Sequence, residues 1–267
     1  MKYEDTLTRN DMWIMGCLLL LALGCFACQR SERPSRAEVG KAARATATDQ
    51  SPRQEAEEEG ENERQEEAEA ESEEQETTFN FDKDKPGALP PGWSLHRTGR
   101  GPLPRWEVIA DPTAPSPPHA LAQLSTKGAG YYFALAVADR THYKDVEIEV
   151  KFKAVEGRED RGGGPVWRYR DANNYYIARA NPLENNFRVY KVVDGRRRML
   201  QSASLRITSG RWHTIKVEHK GTHITCFYDG KKYLEVDDDT FQTAGKVGLW
   251  TKADAVTAFD DFTVEGK

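Results

Sequence analysis

Three consecutive stretches, GPVWRYRD (164–171), NNYYIARAN (173–181) and NNFRVYKVVDG (185–195), sort their residues at period two. That is the spacing of β-strands, whose side chains point alternately to opposite faces. Four-residue loops, Asp171 to Asn174 and Pro182 to Asn185, join them. Antiparallel pairing through those loops sets Arg170 opposite Tyr175, Arg168 opposite Ile177, and Arg179 opposite Arg188. One face then carries Trp167, Tyr169, Tyr176, Ala178, Ala180, Phe187 and Val189 and reads as core. The other carries Arg168, Arg170, Tyr175, Arg179, Asn181, Arg188 and Tyr190. A sheet face this rich in arginine must meet counter-charges or a ligand.

The same period recurs downstream. Val146, Ile148, Val150 and Phe152 alternate with Glu147, Glu149, Lys151 and Lys153, and Ile224, Cys226 and Tyr228 alternate with His223, Thr225 and Phe227. Turn dipeptides punctuate the pattern at Asp194-Gly195, Lys220-Gly221 and Asp229-Gly230. No amphipathic helix follows residue 79. Short strands with regular turns in the stretch from Phe79 to Lys267 predict an all-β fold, a jelly-roll sandwich of two antiparallel sheets with about a dozen strands. Cys226 is the one cysteine after residue 28, so no disulfide forms inside this domain.

The first 78 residues read differently. Met12 to Cys28 is an apolar run behind Lys2 and Arg9, too short to span a bilayer comfortably and followed at once by polar sequence. Residues 1–28 therefore read as a signal or anchor. Cys25 after Gly24, or else Cys28 after Ala27, resembles the acylated cysteine of a bacterial lipoprotein. The alternative is an uncleaved membrane anchor. Residues 29–78 carry almost nothing that could seed a core, and Glu55 to Glu76 holds thirteen glutamates against the single Arg64. Such a segment is expected to be a disordered spacer. It also masks the charge of the rest: the chain is formally −5, yet Phe79 to Lys267 has 29 Lys and Arg against 24 Asp and Glu. The implied location is the bacterial cell envelope, membrane-tethered and facing the periplasm or the exterior.

The segments FNFDKDKPGALPPGW, GRGPLPRWEVIADPTAPSPPHALAQLS, VWRYRDANNYYIARANPLENN, DGKKYLEVDDDTFQTAGKVGLWTKADAV and FDDFTV resemble a bacterial family of exported proteins. Its members have a concanavalin A-like lectin/glucanase sandwich and are grouped with laminin G-like modules or the 3-keto-disaccharide hydrolases. The resemblance covers Phe79 to Gly266. It implies the fold, and leaves open whether the module binds or cleaves, since this architecture hosts lectins, glycosidases, lyases and adhesive modules.

A glycosidase needs paired carboxylates. The E-x-D-x-x-E strand of the glucanases is missing here. Glu147 and Glu149 share one face about 7 Å apart, and Glu184 lies between two arginine strands. These three are the candidate acids, with cross-strand pairing of Glu147 and Glu149 to Arg168 or Arg170 as the alternative. The histidines show no zinc spacing, and neither a nucleophile elbow, a phosphate loop nor a dinucleotide fingerprint occurs. Arg196-Arg197-Arg198 reads as an exposed hairpin flank, and export argues against nucleic acid as a partner. No cofactor is expected beyond a structural calcium, for which the resemblance offers Asp261 in the last strand and Asp82 near the first.

Sugars present hydroxyl pairs and apolar C–H faces, which suit planar donors beside aromatic rings. Arg179, Arg188 and Tyr190 are therefore expected to floor a carbohydrate site, with Arg168, Tyr175 and Asn181 around it. The reading is a tethered lipoprotein whose sandwich binds a glycan. Its rivals are a glycoside hydrolase acting on a keto-disaccharide or another glycan, and a non-catalytic envelope module that contacts protein.

Overall fold

The computed structural model describes residues 76–128 and 130–267. The signal or anchor, Cys25, Cys28 and the glutamate-rich spacer as far as residue 75 lie outside the described residues. The fold is all-β, a sandwich of two antiparallel sheets without an α-helix among the described residues, as expected.

One sheet has eight strands: β1 (Thr77–Phe79), β3 (Trp106–Ala110), β4 (His119–Gln123), β6 (Val146–Glu156), β11 (Trp212–Lys220), β12 (His223–Tyr228), β13 (Lys231–Asp237) and β15 (Val256–Gly266). They run in the order β13-β12-β11-β6-β15-β4-β3, with β1 beside β15. The other has seven: β2 (Trp93–Thr98), β5 (Phe133–Tyr143), β7 (Gly163–Asp171), β8 (Asn174–Asn181), β9 (Asn186–Val193), β10 (Arg196–Ser204) and β14 (Gly245–Lys252). Their order is β10-β9-β8-β7-β14-β5-β2. The first strand begins at Thr77, two residues before the boundary read from the sequence, because Thr77 and Thr78 pair with Val264 and Thr263.

Alternation builds the core between the sheets. Val146, Ile148, Val150 and Phe152 of β6 are buried while Glu147, Glu149, Lys151 and Lys153 are half-exposed. Across from them Trp167, Tyr176, Ala178, Ala180, Phe187 and Val189 close the same core, as expected. The Asp194-Gly195 and Asp229-Gly230 turns have both residues at positive φ, the geometry two-residue hairpins favour.

The seven-stranded sheet departs from simple alternation in two ways. Its outer face holds a second apolar cluster of Phe133, Leu135, Val137, Val166, Tyr169, Tyr175, Ile177, Val192 and Trp250. This is why β8 is buried along nearly its whole length. In addition, a bulge breaks the β7–β8 ladder between Trp167 and Asp171, with Arg168 at φ 43°. Beside the turn Asp171 pairs with Asn174, the register the spacing gave, but beyond the bulge the ladder is shifted by two, so Val166, not Arg168, lies opposite Ile177. Against β14 the same stretch carries one extra residue, with Val166 pairing with Gly248 and Tyr169 with Lys246, and that reverses the facing of Tyr169. Tyr169 thus leaves the core side and stacks on Tyr175 with ring centroids 5.9 Å apart.

Candidate functional site

The β8–β9 hairpin does place Arg179 opposite Arg188, as the spacing required. Its loop is shaped by Asn181, whose Oδ1 accepts from the backbone N–H of Leu183 at 2.8 Å and of Glu184 at 3.3 Å. That bend folds Glu184 back over the strands. The Glu184 carboxylate accepts from Arg179 Nη2 at 2.9 Å, Arg188 Nη1 at 2.9 Å and Asn186 Nδ2 at 2.8 Å. Arg179 Nη2 also donates to Asn186 Oδ1 at 2.9 Å.

A second carboxylate comes from the β6–β7 connection. Asp160 is fully buried and accepts from Arg179 Nη1 at 3.2 Å, Lys252 Nζ at 3.1 Å and Asn181 Nδ2 at 3.0 Å. Burial pushes the Asp160 carboxyl up, against the pull of Arg179 and Lys252. At Glu184 partial burial also pushes upward. The Asn186 hydrogen bond and the Arg179 and Arg188 guanidiniums win, and hold it at about 2. Two like charges are tolerated side by side because two acids grip them.

The third arginine is Arg197 of β10. Its guanidinium carbon lies 4.4 Å from the Tyr190 ring centroid, 5.1 Å from Phe133 and 5.7 Å from Trp250. It covers the second apolar cluster like a plate, the cation–π geometry. The Arg179 guanidinium carbon sits 5.8 Å from the same Tyr190 ring. Tyr131 accepts from the Arg197 backbone N–H and packs on Phe133 at 4.7 Å, with 49 % of its surface exposed. Around the cluster Glu184 and Arg188 remain reachable, their side chains 40 % and 30 % exposed.

The expected site residues thus separate. Arg179, Asn181, Arg188 and Tyr190 come together with Glu184. Tyr175 is on the same face but wholly buried, its hydroxyl 2.6 Å from Thr98 Oγ1, so it supports the floor and does not edge the site. Arg168 is not on this face. The bulge sends its side chain to the end of the sandwich, where it donates to the carbonyls of Lys144 at 2.8 Å, Phe241 at 2.6 Å and Gly221 at 2.8 Å. There it ties three loops together.

Glu147 and Glu149 lie on the outer face of the other sheet and cannot neutralise Arg168, Arg170, Arg179 or Arg188. Glu147 pairs with Lys216 at 2.8 Å and Glu149 with Lys151 at 2.7 Å. With Glu76, Thr263 and Glu265 they line a shallow groove. A larger cavity of about 400 Å³, lined by residues including Phe79, Pro91, Arg140 and Tyr143, shares no residue with the arginine cluster.

Among the described residues no group of three or more His, Cys, Asp or Glu is arranged to hold a metal ion. Near the Asp82 and Asp261 positions it is Asp260 that is buried, accepting from the backbone N–H of Ser116 at 2.9 Å and of Asp261 at 2.8 Å.

Asp160, Asn186, Arg197, Lys252 and Tyr131 were not legible as site residues. Asp160 and Lys252 reach the hairpin only through the pairing of β7 with β8 and β14. Arg197 carried a partial signal: Val192↔Arg197 pairing in the β9–β10 hairpin puts it on the Tyr190 face, while its neighbours Arg196 and Arg198 are exposed as expected.

The chain is similar in structure to the carbohydrate-binding module CBM66 from Bacillus subtilis, with a TM-score of 0.53 and 18 % identity over 65 % of this chain and 95 % of that one. It is also similar to the cellulose-induced protein Cip1, with a TM-score of 0.54 and 8 % identity over 72 % of this chain and 97 % of that one. At these identities the likeness is one of fold, a two-sheet β-sandwich. No protein-family model matches the chain, and no curated protein matches it.

Proposed function

We propose that the sandwich is a carbohydrate-binding module displayed from the bacterial cell envelope. The observation that carries this is the Arg179–Glu184–Arg188 cluster beside Tyr190. It offers planar, charge-assisted donors and acceptors next to an aromatic face, the mixture that sugar hydroxyls and C–H faces require. The fold shared with a carbohydrate-binding module supports it. No cofactor enters the reading. Tethering through a lipid on Cys25 or Cys28, and kinship with the exported 3-keto-disaccharide hydrolase group, rest on the sequence alone.

The test is a glycan array probed with a protein beginning ahead of Thr77. For any glycan bound, Arg188→Ala should weaken affinity about 5- to 150-fold, the usual loss for removing one hydrogen-bonded partner. Arg188 is partly exposed, so the variant should keep its fold. If the array stays blank, or if Arg188→Ala binds as the parent does, the site is wrong.

A second reading, glycoside hydrolysis, rests on one feature. Asp160 and Glu184 hold the same guanidinium, Arg179, yet their carboxyls are pushed in opposite directions, the condition for dividing acid and base roles. Incubating each bound glycan with the protein and looking for new reducing ends separates binding from cleavage.

A further inference from the structure

The charges of the arginine cluster do not balance. Arg179, Arg188, Arg197 and Lys252 converge on two carboxylates, Asp160 and Glu184, and both acids are already engaged by Arg179, Arg188 and Lys252. Arg197 forms no ion pair among the described residues. It lies on the Tyr190, Phe133 and Trp250 rings with its Nη1 buried and without a hydrogen-bond partner. Arg179 Nε is likewise buried and unpartnered, in a side chain that is only 1 % exposed. Buried donors left open on two charged groups are costly, and native structures seldom keep them without a purpose. Both guanidiniums flank one aromatic ring, Tyr190.

We infer, resting on the saccharide-binding reading above, that the glycan this site takes is acidic: a uronic-acid saccharide whose carboxylate is received by Arg197, with Arg179 and Arg188 supplying the surrounding positive charge. A neutral sugar hydroxyl would leave the surplus charge as it was. A planar carboxylate compensates that charge, and it matches the guanidinium fork. Tyr131, half exposed and joined to the Arg197 backbone, stands beside this point as an apolar surface for the sugar ring.

The experiment compares ligands that differ only in the carboxylate. The full-length chain in detergent is titrated with oligomers of galacturonate, glucuronate and mannuronate, and with the same oligomers after reduction of their carboxyl groups. At least one acid should bind about tenfold or more tightly than its reduced counterpart, and the preference should shrink as salt is raised. Arg197→Gln should collapse the acid-to-neutral ratio toward one. Arg197→Lys, which keeps the charge and loses the fork, should retain part of it. The wild-type comparison stands even if a variant fails to fold. Equal or tighter binding of the reduced oligomers overturns the acidic-ligand inference and leaves saccharide binding intact. Binding confined to sulfated glycans overturns the carboxylate. Binding to no saccharide at all, neutral or acidic, removes both readings together.

Discussion

The two outer faces of this sandwich carry the same kinds of side chain and use them in opposite ways. On the eight-stranded sheet, Lys216 bridges Glu147 and Glu218 while Lys151 pairs with Glu149, all of them partly open to solvent. Each long side chain can swing away, water screens each pair, and exposed pairs of this kind contribute little, typically about 0–1 kcal/mol. On the seven-stranded sheet, Arg179 and Asp160 are sealed beneath Glu184, Tyr190 and Arg197. There the ions have given up water, so geometry and hydrogen bonding decide the energy. An alternating strand pattern therefore does not by itself say what its polar face does. The second apolar cluster around Trp250 and Tyr175 makes the difference, because it lets the seven-stranded face exclude water.

The strongest way to break this contrast is Arg179→Ala. Asp160 would stay buried with only Lys252 and Asn181, and Glu184 would keep Arg188 and Asn186. Removing one partner of a buried ion pair costs about 3–5 kcal/mol, so urea denaturation should show a marked fall in midpoint. On an open polar face, such as the alternation alone suggests, the same change would cost little. A loss below about 1 kcal/mol would restore that view and make the two faces equivalent.

Next in size is an acid test on Asp260, a buried carboxyl on the eight-stranded sheet. Asp260 is pushed up to about 6 from an ordinary 3.8, by burial first and then by the neighbouring Asp261 and Asp82. A folded-state value above the unfolded one favours the protonated form in the native protein. Its stabilising contribution is complete below about pH 4 and is lost as pH rises through 6. Unfolding temperature should therefore climb between pH 7.5 and pH 5. Asp260→Asn should flatten that slope and raise stability at pH 7.5 by about 1–3 kcal/mol. An unchanged slope in the variant would show that Asp260 is already neutralised at pH 7.5, as a bound cation would do.

How much of this was legible in the residues follows from the reach of each signal. The β8–β9 register was, because the loop Pro182–Asn185 and the period-two spacing are local and together admit one pairing. The β7–β8 register was legible only beside the turn, where Asp171 pairs with Asn174. Arg168 adopts its positive φ to send its side chain toward the carbonyls of Lys144, Gly221 and Phe241, groups from three loops distant in sequence. One such bulge misplaced both Arg168 and Tyr169. The arginine-rich face was read as needing counter-charges or a ligand, and it has counter-charges. Glu147 and Glu149 sit on the other sheet and cannot serve; the effective carboxylates are Glu184 in the hairpin, one of the three candidate acids, and Asp160 across the ladder, which the spacing did not offer. Local chemistry could be named from the chain, and its partners only from the topology.

The smallest expected effect is the most discriminating. Glu149→Gln removes a carboxylate that served as a candidate acid and that holds only Lys151, at 2.7 Å on a partly exposed face. Lys151 keeps Thr214 Oγ1 as an acceptor at 3.1 Å, so no buried charge is stranded. Stability should move by no more than about 0.5 kcal/mol, the range of surface changes away from special features. Glycan affinity should not move at all, since Glu149 and the Arg179 cluster lie on different sheets. Thermal unfolding and titration against any bound glycan measure both quantities on one protein. A loss of binding or turnover in Glu149→Gln would put the working face on the eight-stranded sheet, beside the groove of Glu76, Glu147 and Glu265. The buried arginine cluster would then be a device for holding the β8–β9 hairpin, and the asymmetry between the faces would concern folding and not recognition.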